Sequence, residues 1–163
     1  MFESLPTESF DVGVKRREDG RESVFHTIPC QLVHEDGLDD EFCNILIIDE
    51  EGSESFYAKK YTSCSVAVTG KTEKAIYLCL NWIDAQHIAF HTKQEVWACF
   101  TPENLEMVAY RYKGDREVRV ACEPSDKDTL YMADDRQLKI IIPNPGGYRS
   151  GMQAKLFSAS DLL

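Results

Sequence analysis

No stretch of this 163-residue chain longer than about two turns carries an apolar repeat of helical period. That absence sets aside the fold classes whose enzymes announce themselves by motif, and no catalytic signature stands in their place. The N-terminal MFESLPTESF lacks a basic region followed by an apolar one, so no signal peptide is expected, and there is no Asn-x-Ser/Thr sequon. Both absences favour a reducing compartment, the cytoplasm or nucleus, and an intracellular protein. The longest fully apolar run, Ile45 to Ile48, is far too short to span a bilayer, so no membrane partner is expected. Basic charge is scarce: 18 Lys and Arg face 28 Asp and Glu, for a formal net charge of −10. Such a surface repels a phosphate backbone, so contact with nucleic acid is expected only indirectly, through a complex whose other members carry the basic surface. No Cys-x-x-Cys pair occurs, which removes a sequence-local zinc site. A weak three-fold periodicity near about 50 residues has no recurring signature residues behind it.

Hydrophobic alternation at period two, by contrast, runs through most of the chain. Ile76, Leu78, Leu80 and Trp82 share one face of one segment; Val96, Ala98 and Phe100 share another, as do Val118, Val120 and Cys122. Successive strand side chains point to opposite faces, so the pattern describes half-buried strands. Strands are expected near 23–34, 43–49, 54–61, 63–69, 74–82, 87–92, 95–101, 105–113, 116–123, 128–133, 136–142 and 153–158. Turn chemistry separates them at Asp36-Gly37, Glu51-Gly52, Gly70-Lys71, Gly114-Asp115 and the Pro143 to Gly147 cluster. Glu103-Asn104 after Pro102 suits a single short helical turn. The expectation is an all-β, single-domain barrel or sandwich of about ten to twelve short antiparallel strands over 23–163, behind a polar tail or short edge strand over 1–22.

The residues that carry chemistry are few. His87 and His91 alternate with Ile88 and Phe90, and in a strand would lie about 13 Å apart, too far to share an ion. The six cysteines, at 30, 43, 64, 79, 99 and 122, sit partly in apolar strand patterns and are expected to be small hydrophobes rather than a disulfide framework. The acidic runs Glu35–Glu41 and Asp49–Glu54 lack the ordered oxygens of a calcium loop and read as solvated loops beside strand edges. PNPGGY at 143–148 lacks the lysine of a phosphate loop and is a turn. Trp82, Trp97, Tyr110 and Tyr112 are expected in the core or in cross-strand pairs. Arg111 and Lys113 interleave with the two tyrosines, so Tyr110, Arg111 and Tyr112, together with Lys59 and Lys60, form the best nucleic-acid contact. No catalytic residue, metal or cofactor is expected.

AIYLCLNWI and LKIIIP are apolar on both faces and need two layers of cover, one of which a partner chain can supply. The expected function is therefore a non-enzymatic scaffold or interaction subunit of a hetero-oligomer, with Phe56, Tyr57, Ile76 and Leu78 as anchors. The alternatives are a stand-alone β-barrel carrier of small molecules, or a β-trefoil signalling protein of the cytokine type, suggested by VTGKTEKAIYLCL.

Residues 25–37, FHTIPCQLVHEDG, place a histidine three residues before a Pro-Cys pair and then an Asp-Gly turn; SFYAKKY, an alternating strand and KAIYL follow. Over roughly 23–80 this order resembles the non-catalytic C subunit of eukaryotic ribonuclease H type 2, with His26, Pro29, Cys30, Asp36, Gly37, Ser55 and Phe56 at the matching positions. The chain departs from that family at Tyr57, Ala58 and Lys59, where an Arg-Gly-Arg character belongs, and at Ala98 after Trp97, where a Gly belongs. The family's helical C-terminal end is not visible either. The resemblance implies a subunit that interweaves strands with a B partner and supports a separate catalytic chain acting on RNA–DNA hybrids, with His26, Pro29 and Cys30 near the shared interface.

Overall fold

The period-two segments at 23–34, 63–69, 74–82, 95–101, 116–123 and 136–142 do become strands, while three others become helices. The computed structural model describes residues 11–16 and 22–163, with side chains from Val24 onward. In chain order the strands and helices are β1 Asp11–Arg16, β2 Glu22–His34, β3 Gly37–Ile48, β4 Glu54–Phe56, β5 Ser65–Thr69, β6 Ala75–Cys79, α1 Trp82–Thr92, β7 Glu95–Ala98, α2 Pro102–Arg111, β8 Glu117–Ala121, α3 Lys127–Asp135, β9 Lys139–Ile141, β10 Phe157–Ser158 and α4 Ala159–Leu162. A 3-10 turn at Tyr148–Ser150 follows β9. Of the expected N-terminal tail, Asp11–Arg16 pairs with β2 as an edge strand, and residues 1–10 and 17–21, Arg17 among them, lie outside the described residues.

The strands form one ten-stranded mixed sheet in the order β10-β9-β8-β6-β7-β5-β2-β3-β4, with β1 on β2. The all-β expectation is thus corrected: the fold is strand-rich, but its sheet is open, mixed and covered by helices. It is neither an antiparallel barrel or sandwich nor a trefoil. The segments 87–92, 105–113 and 128–133, expected as strands, lie within α1, α2 and α3. Their residues satisfy two periods at once, and the helix starts decide between them. The Asn81 side chain accepts from the Asp84 amide at 2.8 Å, and the Thr101 hydroxyl from the Asn104 amide at 3.1 Å, directly before Pro102 at the first helical position. Leu105, Val108, Ala109 and Tyr112 then fall at helical spacing and are buried together.

The sheet divides into two parts. From β6 onward the chain alternates strand and helix, and β6 pairs in parallel with both β7 and β8, as β8 does with β9. Strands β1 to β5 are joined by antiparallel pairing, and β5 pairs antiparallel with β7. The two faces bury separate cores. One gathers Ile76, Leu78, Trp97, Val120 and Ile140 under α2 and α3; the other gathers Tyr77, Val96, Ala98, Ala121 and Ile141 under α1, through Trp82, Ala85 and Ile88. The two layers of cover that AIYLCLNWI and LKIIIP require are therefore supplied by the chain's own helices, as for most parallel strands, and not by a partner.

Gly70, between β5 and β6, has a φ of +86°, and a Cβ there would lie 2.1 Å from the Gln94 carbonyl oxygen. Only glycine lets that turn approach the start of β7. Among the described residues no helix is long and apolar enough to cross a membrane.

Candidate functional site

The chain enters the parallel sheet at β6, moves outward to β7, then crosses back over β6 to β8 and continues to β9. The connections leaving β6 and β8 therefore diverge to opposite faces, and a crevice opens between the carboxyl ends of these two strands. In open α/β sheets this switch point is where ligands bind. Here it is a cavity of about 230 Å³ lined by Cys79, Leu80 and Asn81 at the end of β6, Asp84 in α1, Ala121, Cys122 and Glu123 at the end of β8, Ser125 and Asp126 before α3, and Tyr148.

Local sequence places each group. Asn81 is the N-cap of α1; its amide nitrogen donates to the Asp84 carboxylate at 3.1 Å while its oxygen caps the Asp84 amide. This reciprocal pair holds Asp84 at the crevice. Glu54, from β4, reaches the same helix end, where its carboxylate accepts from the Trp82 amide at 2.7 Å. Beyond β8 a turn closes through Asp126 N to Glu123 O at 3.0 Å and sets Glu123 and Asp126 on the opposite wall. Burial raises the carboxyls of Asp84 and Asp126 above their ordinary range, and neighbouring Glu123 adds to both. Burial likewise raises Glu54, with Asp84 contributing. No Lys or Arg lines the crevice, and the Asn81 side chain, by donating to the Asp84 carboxylate, draws that carboxyl down.

Tyr148 closes the floor. Its ring is 6% exposed, yet its hydroxyl has no hydrogen-bond partner among the described residues. Burial pushes the phenol far above its usual range, with Cys122, Cys79, Asp84 and Glu123 adding to the rise, so the hydroxyl stays protonated, as a donor, in the crevice that Tyr148 lines with them. A buried hydroxyl left unpaired costs free energy unless something else accepts its proton. Among the described residues no three His, Cys, Asp or Glu side chains converge closely enough to enclose a metal ion on their own.

A second sign of constraint stands at the end of β7. Phe100 has a φ of 77°, a conformation that costs a bulky residue roughly 1–3 kcal/mol. Its amide donates to the Leu80 carbonyl at 2.7 Å, and its ring packs edge-on to Phe56 at 4.9 Å.

No family model matches the chain, and neither the curated proteins nor the solved structures searched hold a match.

The residues singled out from sequence are scattered. Ile76 and Leu78 are fully buried in the central strand, and Cys30 is buried in β2, so these three sit in the core of this chain. Pro29 is buried beside Cys30, and His26 lies exposed near the start of the β2–β3 pairing. Phe56 packs against Tyr61 and Phe100, and Tyr57, Lys59 and Lys60 are exposed after β4. The β2–β3 turn falls on Glu35 and Asp36, one residue ahead of the expected Asp36-Gly37, and Gly37 already pairs with His34 as the first residue of β3. Tyr110, Arg111 and Tyr112 do not alternate along a strand. Tyr110 and Arg111 are exposed on α2, whereas Tyr112 is buried with its ring 5.4 Å from that of Trp97. His87 and His91 lie one turn apart on α1 rather than along a strand. Sequence reasoning missed the crevice because its groups come from three separated segments. Asn81 three residues before Asp84, a cap signature, was the one local signal for it.

Proposed function

We propose that this chain is a ligand-binding α/β domain whose site is the crevice between β6 and β8. Its ligand carries phosphate or a comparable anion and is held through a hydrated divalent cation of the magnesium type. The observation that carries the reading is the unpartnered Tyr148 hydroxyl, buried among Asp84, Glu123 and neighbouring crevice groups at the switch point. Carboxylates at low dielectric repel an anion unless a cation intervenes. Magnesium keeps several waters and is commonly held by one or two carboxylates plus the ligand's own phosphate, so an incomplete protein cage suits it. Glu123 and Asp126, from the one turn after β8, supply the carboxylates, Asp84 lines the same crevice, and Tyr148 donates to a water or ligand oxygen.

Manganese, a spectroscopic stand-in, tests this directly by electron paramagnetic resonance. One saturable site displaced by magnesium is expected, weakened about tenfold or more in Glu123→Gln/Asp126→Asn. Binding that does not saturate, or that the double variant leaves unchanged, overturns the reading.

The interaction-subunit reading has its own support in three large exposed side chains on α2 and α3: Met107, Tyr110 and Tyr131, at 43%, 39% and 64% exposure. On that reading the chain belongs to a hetero-oligomer, and a ribonuclease H type 2 assembly is one proposal for it. Affinity purification of the tagged chain, with mass spectrometry of near-stoichiometric partners, tests it; recovery of the chain alone would reject it.

A further inference from the structure

The outer surfaces of α2 and α3 leave a groove of about 320 Å³ between them. Glu103, Glu106 and Tyr110 line it from α2, and Asp128, Thr129 and Tyr131 from α3; Leu105 and Met132 floor it, and no Lys, Arg or His lines it. It shares no lining residue with the switch-point crevice. We propose that this groove docks a segment of a second protein that presents lysine and arginine side chains. The inference gives the interaction-subunit reading a partner chemistry and rests on it, while the crevice reading stands apart.

Charge and ring chemistry both favour that occupant. Glu103 and Asp128 lie in the first turns of their helices, where they offset the positive helix ends, and Glu106 is left as surplus negative charge. The aromatic walls suit cationic heads, since a guanidinium or ammonium is attracted to a tyrosine face. The fold already uses this contact at the groove's margin: the Arg136 guanidinium sits 5.5 Å from the Tyr110 ring centroid, and the Tyr110 hydroxyl donates to Asp135. Tyr131, 64% exposed, offers a ring with no such cation above it among the described contacts. A neutral apolar segment would leave the three carboxylates facing it uncompensated, and an acidic one would be repelled.

The test is fluorescence anisotropy with a fluorescein-labelled hexa-arginine peptide at about 0.15 M salt, which suppresses long-range attraction to an acidic protein. One saturable site is expected. Glu103→Gln/Glu106→Gln should weaken it about fivefold, whereas the charge-matched Asp40→Asn/Glu41→Gln, on exposed β3, should change it by less than about twofold. Tyr131→Ala should weaken it about threefold without altering charge, and Tyr131→Phe should retain it. Equal weakening by both charge variants, or no effect of Tyr131→Ala, would show only general attraction and overturn the proposal. If the groove fails this test while a partner still co-purifies, the interaction reading survives with a different docking surface.

Discussion

Asn104 is fully buried, and its side chain holds three backbone groups from two neighbouring elements. Its oxygen accepts from the Cys64 amide at 2.7 Å, and its nitrogen donates to the Ser65 and Cys99 carbonyls, both at 2.8 Å. The start of β5 and the end of β7 are thereby tied to the first turn of α2. Asn104→Ala should lower unfolding stability by about 3 kcal/mol, because a lost bond costs less than the buried partners it strands. Urea unfolding would measure this, and a loss below about 1 kcal/mol would mean that water replaces the side chain. The cysteines show the same dependence on surroundings. All six are free, and burial pushes the Cys30 and Cys122 thiols up to about 12. Disulfide exchange reagents should therefore modify half-buried Cys43 ahead of the five buried thiols in native protein, with labelling followed by peptide mapping. Their role as small hydrophobes was legible in the apolar strand patterns around Cys30, Cys64 and Cys122.

At the scale of elements, the strands of the parallel half were legible because buried strands read as continuous apolar runs. The helices were not, because their sequences are short and compatible with alternation. In α1 the buried Trp82, Ala85 and Ile88 repeat at three, while exposed Ile83 and Phe90 blur the pattern. A cap separates the two states more sharply than periodicity does. Thr101→Ala should cost about 1 kcal/mol by removing the bond to the Asn104 amide. A larger loss would indicate that Thr101 also positions Asn104. Gly70→Ala should be more costly than a helix-cap loss, exceeding about 1 kcal/mol, since it combines a positive φ with a clash against the Gln94 carbonyl. Thermal unfolding of the two variants under one buffer ranks them.

Across the whole molecule, the crevice carboxyls link stability to pH. Asp84, Asp126 and Glu54 have folded values raised above those of the unfolded chain, mainly by burial. Between the two values the folded state binds more protons than the unfolded state, so stability falls as pH rises through that window. The window opens at the ordinary carboxylate value of about 4 and closes at the raised folded value. Asp84→Asn/Asp126→Asn should thus melt higher than the natural chain at neutral pH, with the advantage shrinking as pH falls toward about 4. Magnesium should raise the melting temperature of the natural chain at neutral pH and raise that of the double variant, which lacks Asp126, by less. A double variant less stable at neutral pH would show that the carboxylates are held by bonds stronger than their burial cost.

The amino-acid sequence by itself determined where most of the strands run, that Cys30, Cys64 and Cys122 behave as core residues, that the chain turns next to Asp36, and how acidic the chain is. Each of these depends on neighbours close along the chain. The tertiary structure decided that the apolar central strands are covered by the chain's own helices, because parallel pairing of β6 with β7 and β8 forces crossover connections onto both faces. It also decided where the candidate site lies. Apart from the Asn81–Asp84 cap, Asp84, Glu123, Asp126 and Tyr148 share no local pattern, and they meet only because the chain doubles back over β6, opening a gap that no run of neighbouring residues encodes.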